Sequence, residues 1–400
     1  MRGVPNVREH HGMNLHEFQA KAILARHGIP VPAGQVAWTP DEVTRVAADL
    51  GGSRFAVKAQ ILAGGRGEVG GVKLADSVDQ AREIAAEMLG SRLITAQTPS
   101  AGHNVRRVYV EQAVACAREI YVGLLVDRNE GCVVLLGAGQ GGAEVEKLLR
   151  RDPKSLVRLA LPGTQQPGDA DLRQFAEALG LTGSLVEEAA GLLAVLARAF
   201  VELDASLIEV NPLCLTEEGR LVALDVKMVV DDNALFRQPD IQSLRDEDEV
   251  DALELEAQRH DLNFVRMDGN IGVVVNGAGL ALATHDILRD LGGAPANFMD
   301  IRTTAVSLQI AKGIGLLLAD PAVKVILVNV HGGGMTRCDT IVEAIHIAMR
   351  WSGRKIPIVF RAAGQNAEYA RRLIVDRRIA HEVALSMSGA ARRAVELAKD

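Results

Sequence analysis

The spacing of apolar and polar positions divides the chain into two stretches with different orders of elements. Between Met13 and about Asp240, helical stretches alternate with strands rich in Val and Ala, and successive strands are close enough in sequence to pair. This order predicts mixed or antiparallel sheets rather than a fold of parallel crossovers. The predicted strands read FAVKAQI, RRVYVEQ, IYVGLLV, CVVLLGA, SLIEVNPLCL and RLVALDVKMVV.

After Asn263 the order becomes strand, glycine-rich turn and helix, and it repeats. The strands IGVVVNGAG, KVILVNVHGGG and IPIVFRAAGQ are each followed by a helical pattern. This alternation predicts an α/β fold with a parallel, doubly wound sheet. The turns NGAG, HGGG and AAGQN should then share one edge of the sheet, where ligands of such sheets bind.

The two stretches give the expected domain limits. We expect a first domain over residues 13–240, a linker over 241–262 and a second domain over 263–400. The charged run DIQSLRDEDEVDALELEAQRHD has no Gly or Pro, so it is interpreted as a connecting helix.

The first patterned segment begins at Met13, with apolar residues at the helical spacing of Leu15, Phe18, Ala22, Ile23 and Ala25. Residues 1–12 are basic and have no apolar centre, so we expect a disordered extension and not a secretory signal. Met13 is therefore an alternative to Met1 as the start of translation.

Composition and charge narrow the classes of function. The net charge of −7 argues against a nucleic-acid partner, which would require a basic surface. No apolar run approaches the roughly 20 residues that span a bilayer, so no membrane segment is expected. The four cysteines, Cys116, Cys132, Cys214 and Cys338, lie far apart in sequence, which predicts reduced thiols in a cytoplasmic protein.

The first motif that carries chemistry is Lys58 on the strand FAVKAQI, followed by the loop LAGGRGEVGG and a second strand, VKLAD. A strand follows the glycines where a dinucleotide fingerprint requires a helix, so the loop belongs to a hairpin. Glycines let backbone N–H groups approach phosphate oxygens, while Lys58 and Arg66 supply positive charge. The motif predicts an ATP clamp, and a flexible surface hairpin with an incidental lysine is the alternative.

The second motif, EVNPLCL followed by LVALDVK, places Glu209 and Asn211 on one strand and Asp225 near the end of the next. An amide oxygen and a carboxylate on paired strands suit Mg²⁺, which completes its octahedron with water and phosphate oxygens. The alternative is an ordinary Asn-Pro turn with a solvated Asp225.

Two further glycine motifs point to other classes and are less well supported. The sequence GAGQGG lies between a strand and a predicted helix, but the next strand, SLVRLAL, lacks the acidic residue that would hold a ribose in a dinucleotide site. HGGG is similar to an esterase oxyanion loop, yet the chain has no G-x-S-x-G nucleophile elbow. His331 in this turn is interpreted as a structural residue rather than a catalytic one.

Six segments in order resemble the β subunit of succinyl-CoA synthetase: MNLHEFQAKAILARHGIPVP, AGGRGEVGGVKL, LIEVNPL, DDNALFRQPD, NGAGLA and GGAPANF. The likeness runs from Met13 almost to the end, and the ordered set is highly specific. It implies an ATP-grasp fold for the first part and a flavodoxin-like CoA-ligase domain for the second. It also implies an α subunit that binds CoA and carries a transiently phosphorylated histidine.

The resemblance implies a role for each matching residue. Those implied to contact the nucleotide are Lys58, Gly65, Arg66, Gly67, Glu111, Val114 and Glu119. Asn211 and Asp225 match the Mg²⁺ ligands, and Glu209 matches an acidic residue that orients the phosphohistidine. Those implied to contact the carboxylate substrate are Asn276, Gly333, Gly334 and Met335.

The reaction that the resemblance implies is an ADP-forming acyl-CoA ligation that requires the α subunit. ATP phosphorylates the partner's histidine, the phosphoryl group activates a short dicarboxylate, and CoA displaces the phosphate. Succinate is the expected acid, with malate or an analogue as the alternative. The sequence leaves open GTP in place of ATP and an αβ or α₂β₂ assembly.

The chain departs from the family's pattern at several turns. Ile301, Arg302, Thr303 and Thr304 stand where the family has glycines, so we expect a different local geometry there. His331 replaces an apolar residue in a turn that is one residue longer, and Gln140 replaces a glutamate. These changes favour either a different dicarboxylate or, as the alternative function, a non-catalytic or regulatory paralogue. A self-contained ATP-grasp ligase is less well supported, because it leaves the second domain without a task.

Overall fold

A computed structural model of the chain describes residues 12–98, 102–142, 145, 152, 155–161, 166–249 and 251–399. The chain divides into two compact units, Met1–Glu249 and Val250–Asp400. Most of the predicted extension and of the helix predicted after GAGQGG lies outside the described residues. Within the described ranges, no helix is both long enough and apolar enough to cross a membrane.

The described strands of unit 1 are short and numerous. They are β1 (Met13–Leu15), β2 (Gly34–Ala37), β3 (Phe55–Ala59), β4 (Val72–Ala75), β5 (Arg92–Leu93), β6 (His103–Asn104), β7 (Val108–Gln112), β8 (Cys116–Asp127), β9 (Cys132–Ala138), β10 (Val157–Leu161), β11 (Ala205–Thr216), β12 (Leu221–Ala223) and β13 (Val226–Val230). The described helices are α1 (Glu17–Arg26), α2 (Pro40–Leu50), α3 (Val78–Met88), α4 (Asp169–Ala178), α5 (Ser184–Glu202) and α6 (Pro239–Gln242).

The sheets of unit 1 are antiparallel, as the sequence predicts. The largest has the order β1-β13-β11-β8-β9-β10, with β12 paired to β11. A second sheet has the order β2-β7-β3-β4, and β5 pairs with β6. The predicted strand RLVALDVKMVV is divided into β12 and β13, and Asp225 lies in the break.

The two larger sheets of unit 1 are covered by helices with an apolar face. On α5, Leu193 and Leu196 are almost fully buried and belong to the same core as Ile208 of β11. Burial of a leucine side chain contributes about 1.5–3 kcal/mol. Against the smaller sheet, α2 begins where the Thr39 hydroxyl accepts a hydrogen bond from Glu42 N, and Val43 of this helix packs in the core.

Unit 2 alternates strands and helices. Its described strands are β14 (Asn263–Arg266), β15 (Ile271–Asn276), β16 (Asn297–Ile301), β17 (Val325–Gly332), β18 (Ile358–Gly364) and β19 (Glu382–Val383). Its described helices are α7 (Ala252–Arg259), α8 (Ala278–Asp290), α9 (Ser307–Ala319), α10 (Cys338–Ser352), α11 (Ala367–Asp376) and α12 (Met387–Lys399).

The strand order of unit 2 is that of a flavodoxin-like sheet. Strands β16-β15-β17-β18-β19 are parallel, in the order 2-1-3-4-5, and β14 adds an antiparallel edge. Two cores cover the faces of the sheet: Ile314 and Ile345 lie in one, and Leu288 and Ala394 in the other. The prediction of a parallel, doubly wound sheet is confirmed.

The prediction of a single connecting helix over the charged run after Pro239 is wrong. The chain instead forms α6, a 3₁₀ turn at Glu247–Glu249 and then α7. Asp246 between them accepts a hydrogen bond from His16 Nε2 at 2.8 Å and pairs with Arg107. These tertiary ion pairs, and repulsion between consecutive acidic side chains, interrupt the helix that the composition favours.

The expectation that all four cysteines are reduced thiols is also wrong. Cys116 on β8 and Cys214 on β11 have their Cα atoms 5.6 Å apart and form a disulfide. The two strands pair antiparallel, and this pairing brings together residues that are 98 positions apart in sequence. Cys132 and Cys338 are free.

Candidate active site

The glycine loop predicted to bind phosphate forms the turn of a hairpin. Strands β3 and β4 pair antiparallel, with Lys58 opposite Val72. Between them, Gly65 has φ +74° and begins a 3₁₀ turn over Arg66–Val69. A left-handed φ of this kind favours glycine, because a side chain there costs about 1–2 kcal/mol. The hairpin interpretation is therefore confirmed.

Lys58 projects from β3 into a buried group of charges. Its Nζ donates to Glu17 Oε1 at 2.8 Å and to the carbonyl oxygen of Leu224 at 2.6 Å, and it lies 2.6 Å from Glu111 Oε1. Burial lowers the pKa of Lys58, but Glu17 and Glu111 outweigh that effect and raise it above its ordinary value. The lysine is therefore a cation at neutral pH.

Arg66 reaches the same group from the hairpin turn. Its Nη1 donates to the carbonyl oxygen of Ala59 at 2.9 Å. Its Nη2 contacts Asp225 Oδ1 at 2.9 Å, Asp225 Oδ2 at 3.0 Å and Glu17 Oε2 at 2.9 Å. The structure thus joins Lys58, Arg66 and Asp225, three of the residues that the sequence assigns to one site.

Two members of this group, Glu17 and Lys21 of α1, are absent from the sequence-based site. Lys21 Nζ lies 3.0 Å from Glu17 Oε1 and 2.5 Å from Glu111 Oε2, and all three side chains are at most 3% exposed. Burial raises the pKa of Glu17, but Lys58, Lys21 and Arg66 outweigh it and hold that pKa well below its usual range. We call Glu17, Lys21, Lys58, Arg66, Glu111 and Asp225 the buried ion cluster.

The apolar pattern of the first segment gave no sign of this burial. Leu15 belongs to β1, and Ala22 and Ala25 are exposed, whereas Glu17 and Lys21 are buried. The one available signal is the spacing of Glu17 and Lys21 at i and i+4, which places both on one helix face. That spacing is common on solvated helices, so it does not by itself indicate a site.

Asn211 and Glu119, two other predicted ligand contacts, meet at Gly142. Asn211 Oδ1 accepts a hydrogen bond from Gly142 N at 2.6 Å, and Asn211 Nδ2 donates to Gly142 O at 3.3 Å. A Cβ added at Gly142 would lie 2.1 Å from Glu119 Oε2. Asn211 N also donates to the carbonyl oxygen of Asp225 at 3.0 Å, which links this group to the buried ion cluster.

The remaining predicted residues of unit 1 lie on a strand, in a link and in the hairpin turn. Glu209 is half-buried on β11, opposite Lys227 of β13 and two residues before Asn211. Val114 is half-buried in the link between β7 and β8. Gly67 lies inside the 3₁₀ turn beside Arg66. The roles implied for these residues stay predictions.

Asn211 and Asp225 offer the type of donors that Mg²⁺ binds. Among the described residues, no group of three or more His, Cys, Asp or Glu side chains could hold a metal ion. One amide oxygen and one carboxylate nevertheless fit an ion that takes its other ligands from water and phosphate. Gly142 and Arg66 contact these two side chains, so a metal would compete with them for the same oxygens.

In unit 2 the glycine turns lie together, as the sequence predicts. Asn276 at the end of β15 donates from Nδ2 to His331 O and accepts from His331 N, both at 2.8 Å. Gly332 of β17 is opposite Gly364 of β18. The turn after β17 closes between Gly333 and Thr336, with Gly334 at φ +56° and Met335 72% exposed. The implied substrate residues therefore surround the switch point between β15 and β17.

The departure from the family's pattern at residues 301–304 is accommodated by ordinary structure. Ile301 is buried at the end of β16, opposite Asn276. Arg302 pairs with Asp261 at 2.7 Å. Thr303 and Thr304 are exposed in a turn without a positive φ, so no glycine is needed there.

The chain matches two protein families in sequence. Residues 14–215 match the ATP-grasp domain, and residues 274–398 match the CoA-ligase family. Among solved structures, the fold is similar to that of ATP citrate lyase from Methanothrix soehngenii in complex with citrate and coenzyme A. The TM-score is 0.74 at 18% identity, over 96% of this chain and 100% of that one. At this identity the likeness concerns the fold alone.

Two relatives named succinate–CoA ligase [ADP-forming] subunit beta match almost the full length. The protein from Paramagnetospirillum magneticum is 42% identical over 397 residues, covering 97% of this chain and all of the relative. The protein from Methylobacillus flagellatus is 44% identical over 387 residues, with the same coverage. The expected ATP-grasp domain followed by a CoA-ligase domain is confirmed. The chain therefore belongs to the family of ADP-forming succinate–CoA ligase β subunits.

Proposed function

We propose that this chain is the nucleotide-binding subunit of a two-subunit ligase that couples ATP cleavage to the formation of an acyl-CoA thioester. Family membership supports the ligase, and the near-complete coverage of the relatives disfavours a non-catalytic paralogue. The observation that carries the proposal is the convergence of Lys58, Arg66 and Asp225 beside the glycine hairpin.

The proposed reaction is a relay of one phosphoryl group. The γ-phosphoryl of ATP passes to a histidine of the α subunit and leaves ADP. The phosphohistidine then phosphorylates a carboxylate, and the CoA thiolate attacks the acyl phosphate, forming the thioester and releasing inorganic phosphate. Mg²⁺, when bound, neutralises charge on the phosphate oxygens.

The residues of this chain act mainly by positioning and by charge. Lys58 and Arg66 are cations in a nearly dry environment, where attraction to a phosphate is stronger than in water. Asn211 and Asp225 supply the oxygen donors for the metal. Glu209 accepts a hydrogen bond from the ring nitrogen of the partner's histidine that is not phosphorylated. The chain therefore needs no nucleophile of its own.

The substrate and partner are part of the proposal. Succinate is the first candidate, because the relatives carry its name, and malate is the second. The turns that hold Asn276, Gly333, Gly334 and Met335 would contact the acid. ATP is the first candidate for the nucleotide, because the relatives are named ADP-forming, and GTP is the second. The proposed location is cytoplasmic, where ATP and CoA are available. The α subunit would supply the CoA site and the histidine in an αβ or α₂β₂ assembly.

The test is phosphorylation of the partner's histidine by the assembled complex. We expect Lys58→Ala and Asp225→Ala each to reduce the rate by about 100-fold or more, because each removes a group that stabilises charge on the transferred phosphoryl. The measurement is label transfer from γ-labelled nucleotide to the α subunit, with ATP and GTP compared and assembly checked by gel filtration.

Matched surface variants provide the control. Lys73 pairs with Glu87 and Asp76 pairs with Arg54, all on the surface of the same unit, so Lys73→Ala and Asp76→Ala should phosphorylate normally. Normal phosphorylation by an assembled Lys58→Ala or Asp225→Ala complex would show that the nucleotide site is misplaced. Thioester formation by the isolated chain would contradict the two-subunit reaction.

A further inference from the structure

The carboxylate of Glu17 joins the two phosphate-binding cations of the proposed site. Its Oε1 accepts a hydrogen bond from Lys58 at 2.8 Å, and its Oε2 lies 2.9 Å from Arg66 Nη2. Gln60 Nε2 also donates to Oε2, at 3.2 Å. One side chain on α1 therefore fixes the head groups of two residues from β3 and the hairpin turn.

The two carboxylates that hold Arg66 differ in exposure. The Glu17 side chain is 1% exposed, whereas that of Asp225 is 36% exposed. A metal ion or a water molecule can therefore reach Asp225, but Glu17 is enclosed by protein. If Asp225 exchanges Arg66 for a metal, Glu17 is the carboxylate that continues to bind the guanidinium.

We infer that Glu17 is a positioning residue of the nucleotide site, which keeps Lys58 and Arg66 in place when Asp225 releases Arg66 to bind the metal of a metal–nucleotide complex. This inference rests on the proposed function. Release of Asp225 frees donor capacity on Arg66 for a phosphate oxygen, while the bond to Glu17 keeps the guanidinium from following Asp225 or turning into solvent. Lys58 likewise keeps its contacts with Glu17 and Glu111.

Lys21 has a different task in the buried ion cluster. It contacts Glu17 and Glu111 and makes the numbers of cations and carboxylates equal, at three each. Glu17→Gln alone leaves one excess positive charge in a buried place, which destabilises a fold strongly. Glu17→Gln combined with Lys21→Met removes one charge of each sign, so the pair of variants separates charge balance from positioning.

The experiment measures Mg·ATP binding and melting temperature on the full-length chain. The four proteins are the wild type, Glu17→Gln, Glu17→Gln/Lys21→Met and Glu87→Gln, which changes a carboxylate to an amide in an exposed pair with Lys73. We expect the melting temperature to fall in Glu17→Gln and to recover in the double variant. We expect Mg·ATP affinity, measured by calorimetry, to fall on the order of tenfold in both, because a charge-assisted bond to each cation is lost.

The outcomes distinguish this inference from the proposed function. Absence of Mg·ATP binding by the wild type would overturn the proposed function itself. Wild-type binding with full affinity in the double variant would show that Glu17 only balances charge, and would overturn the inference alone. Unchanged stability and affinity in Glu87→Gln, beside weak binding by a stable double variant, is the result that the inference requires.

Discussion

At the scale of single residues, the buried ion cluster departs most from what a sequence pattern indicates. Burying a charge costs several kcal/mol unless partners compensate it, so charged residues are normally expected at the surface. Glu17 and Lys21 are compensated here by residues from β3, β7 and the hairpin turn. Lys58 and Asp225 could be predicted because a glycine loop and an Asn-Pro strand mark them locally. Glu17 could not, because two of its partners, Lys58 and Arg66, come from distant parts of the chain and its pairing with Lys21 resembles that of an ordinary solvated helix.

Gly142 allows a prediction about how Asn211 and Glu119 are arranged. Gly142 has φ +78°, and a Cβ there would lie 2.1 Å from Glu119 Oε2. We expect Gly142→Ala to displace Glu119 and the bonds to Asn211, with a loss of Mg·ATP affinity of about tenfold, the worth of one or two hydrogen bonds. The measurement is calorimetric titration with Mg·ATP.

Gly131 offers the control for this variant, since it has φ +64° and a Cβ added there would meet nothing within 4 Å. Gly131→Ala should carry the same backbone cost, about 1–2 kcal/mol, without the contact to Glu119. Equal Mg·ATP affinity in the two variants would show that Gly142 acts only on stability.

At the scale of elements, sequence patterns predicted the strands and helices that neighbouring residues form. They missed the contacts that depend on pairing between distant strands. The strand, turn and helix order after Asn263 predicted β15, β17 and β18 with their helices, because each unit is complete within about 30 residues. The contact between Cys116 and Cys214 could not be predicted in this way. It depends on the pairing of β8 with β11, which the intervening sequence does not specify.

The close approach of β17 and β18 leads to a prediction at this scale. Gly364 has φ +78°, and a Cβ there would lie 2.1 Å from the carbonyl oxygen of Gly332, a backbone atom that cannot turn away. Gln365 N also donates to that oxygen at 2.9 Å. We expect Gly364→Ala to separate the two strand ends and to lower the free energy of unfolding of unit 2, measured by urea denaturation.

Gly353 at the end of α10 is the matched position, with φ +66° and open space within 4 Å of where a Cβ would be. Gly353→Ala should lower the free energy of unfolding only by the cost of a left-handed backbone with a side chain, about 1–2 kcal/mol. The prediction for Gly364 requires a larger loss than this. A loss of equal size in both variants would mean that the strands tolerate the added carbon.

At the scale of the whole molecule, the fold class followed from the change of element order, and the family from the ordered motifs. The described structure confirms both the antiparallel sheets of unit 1 and the parallel sheet of unit 2. The connecting helix was wrong because Asp246 takes part in ion pairs with His16 and Arg107, which composition cannot indicate. Of the buried ion cluster, the sequence thus predicted Lys58, Arg66, Glu111 and Asp225, but it predicted neither Glu17 and Lys21 nor the ion pairs that join the six residues.

The stability of unit 2 should depend on pH between 5 and 7 through His285. Burial lowers the pKa of this histidine and Arg289 adds to the effect, while a backbone hydrogen bond with Asn297 and the charge of Asp286 oppose it. The unfolded chain, with a histidine pKa of about 6.5, therefore binds more protons than the folded one below that pH. The contribution of neutral His285 to the free energy of unfolding is complete above pH 6.5. It is lost as the pH falls through the pKa of His285 in the folded protein. Burial raises the pKa of Glu254, and this shift favours the folded state as the pH falls, opposite to the effect of His285.

Comparison with His285→Leu isolates the histidine, because Glu254 is common to both proteins. We expect the midpoint of urea unfolding to fall between pH 7 and pH 5 in the wild type and to change less in His285→Leu. Leu288→Ala changes a buried residue on the same helix and creates a cavity that costs about 2–5 kcal/mol. It should lower the midpoint at every pH without changing the slope of a plot of midpoint against pH. Equal slopes in the wild type and His285→Leu would mean that protonation of His285 does not limit the stability of unit 2 in mild acid.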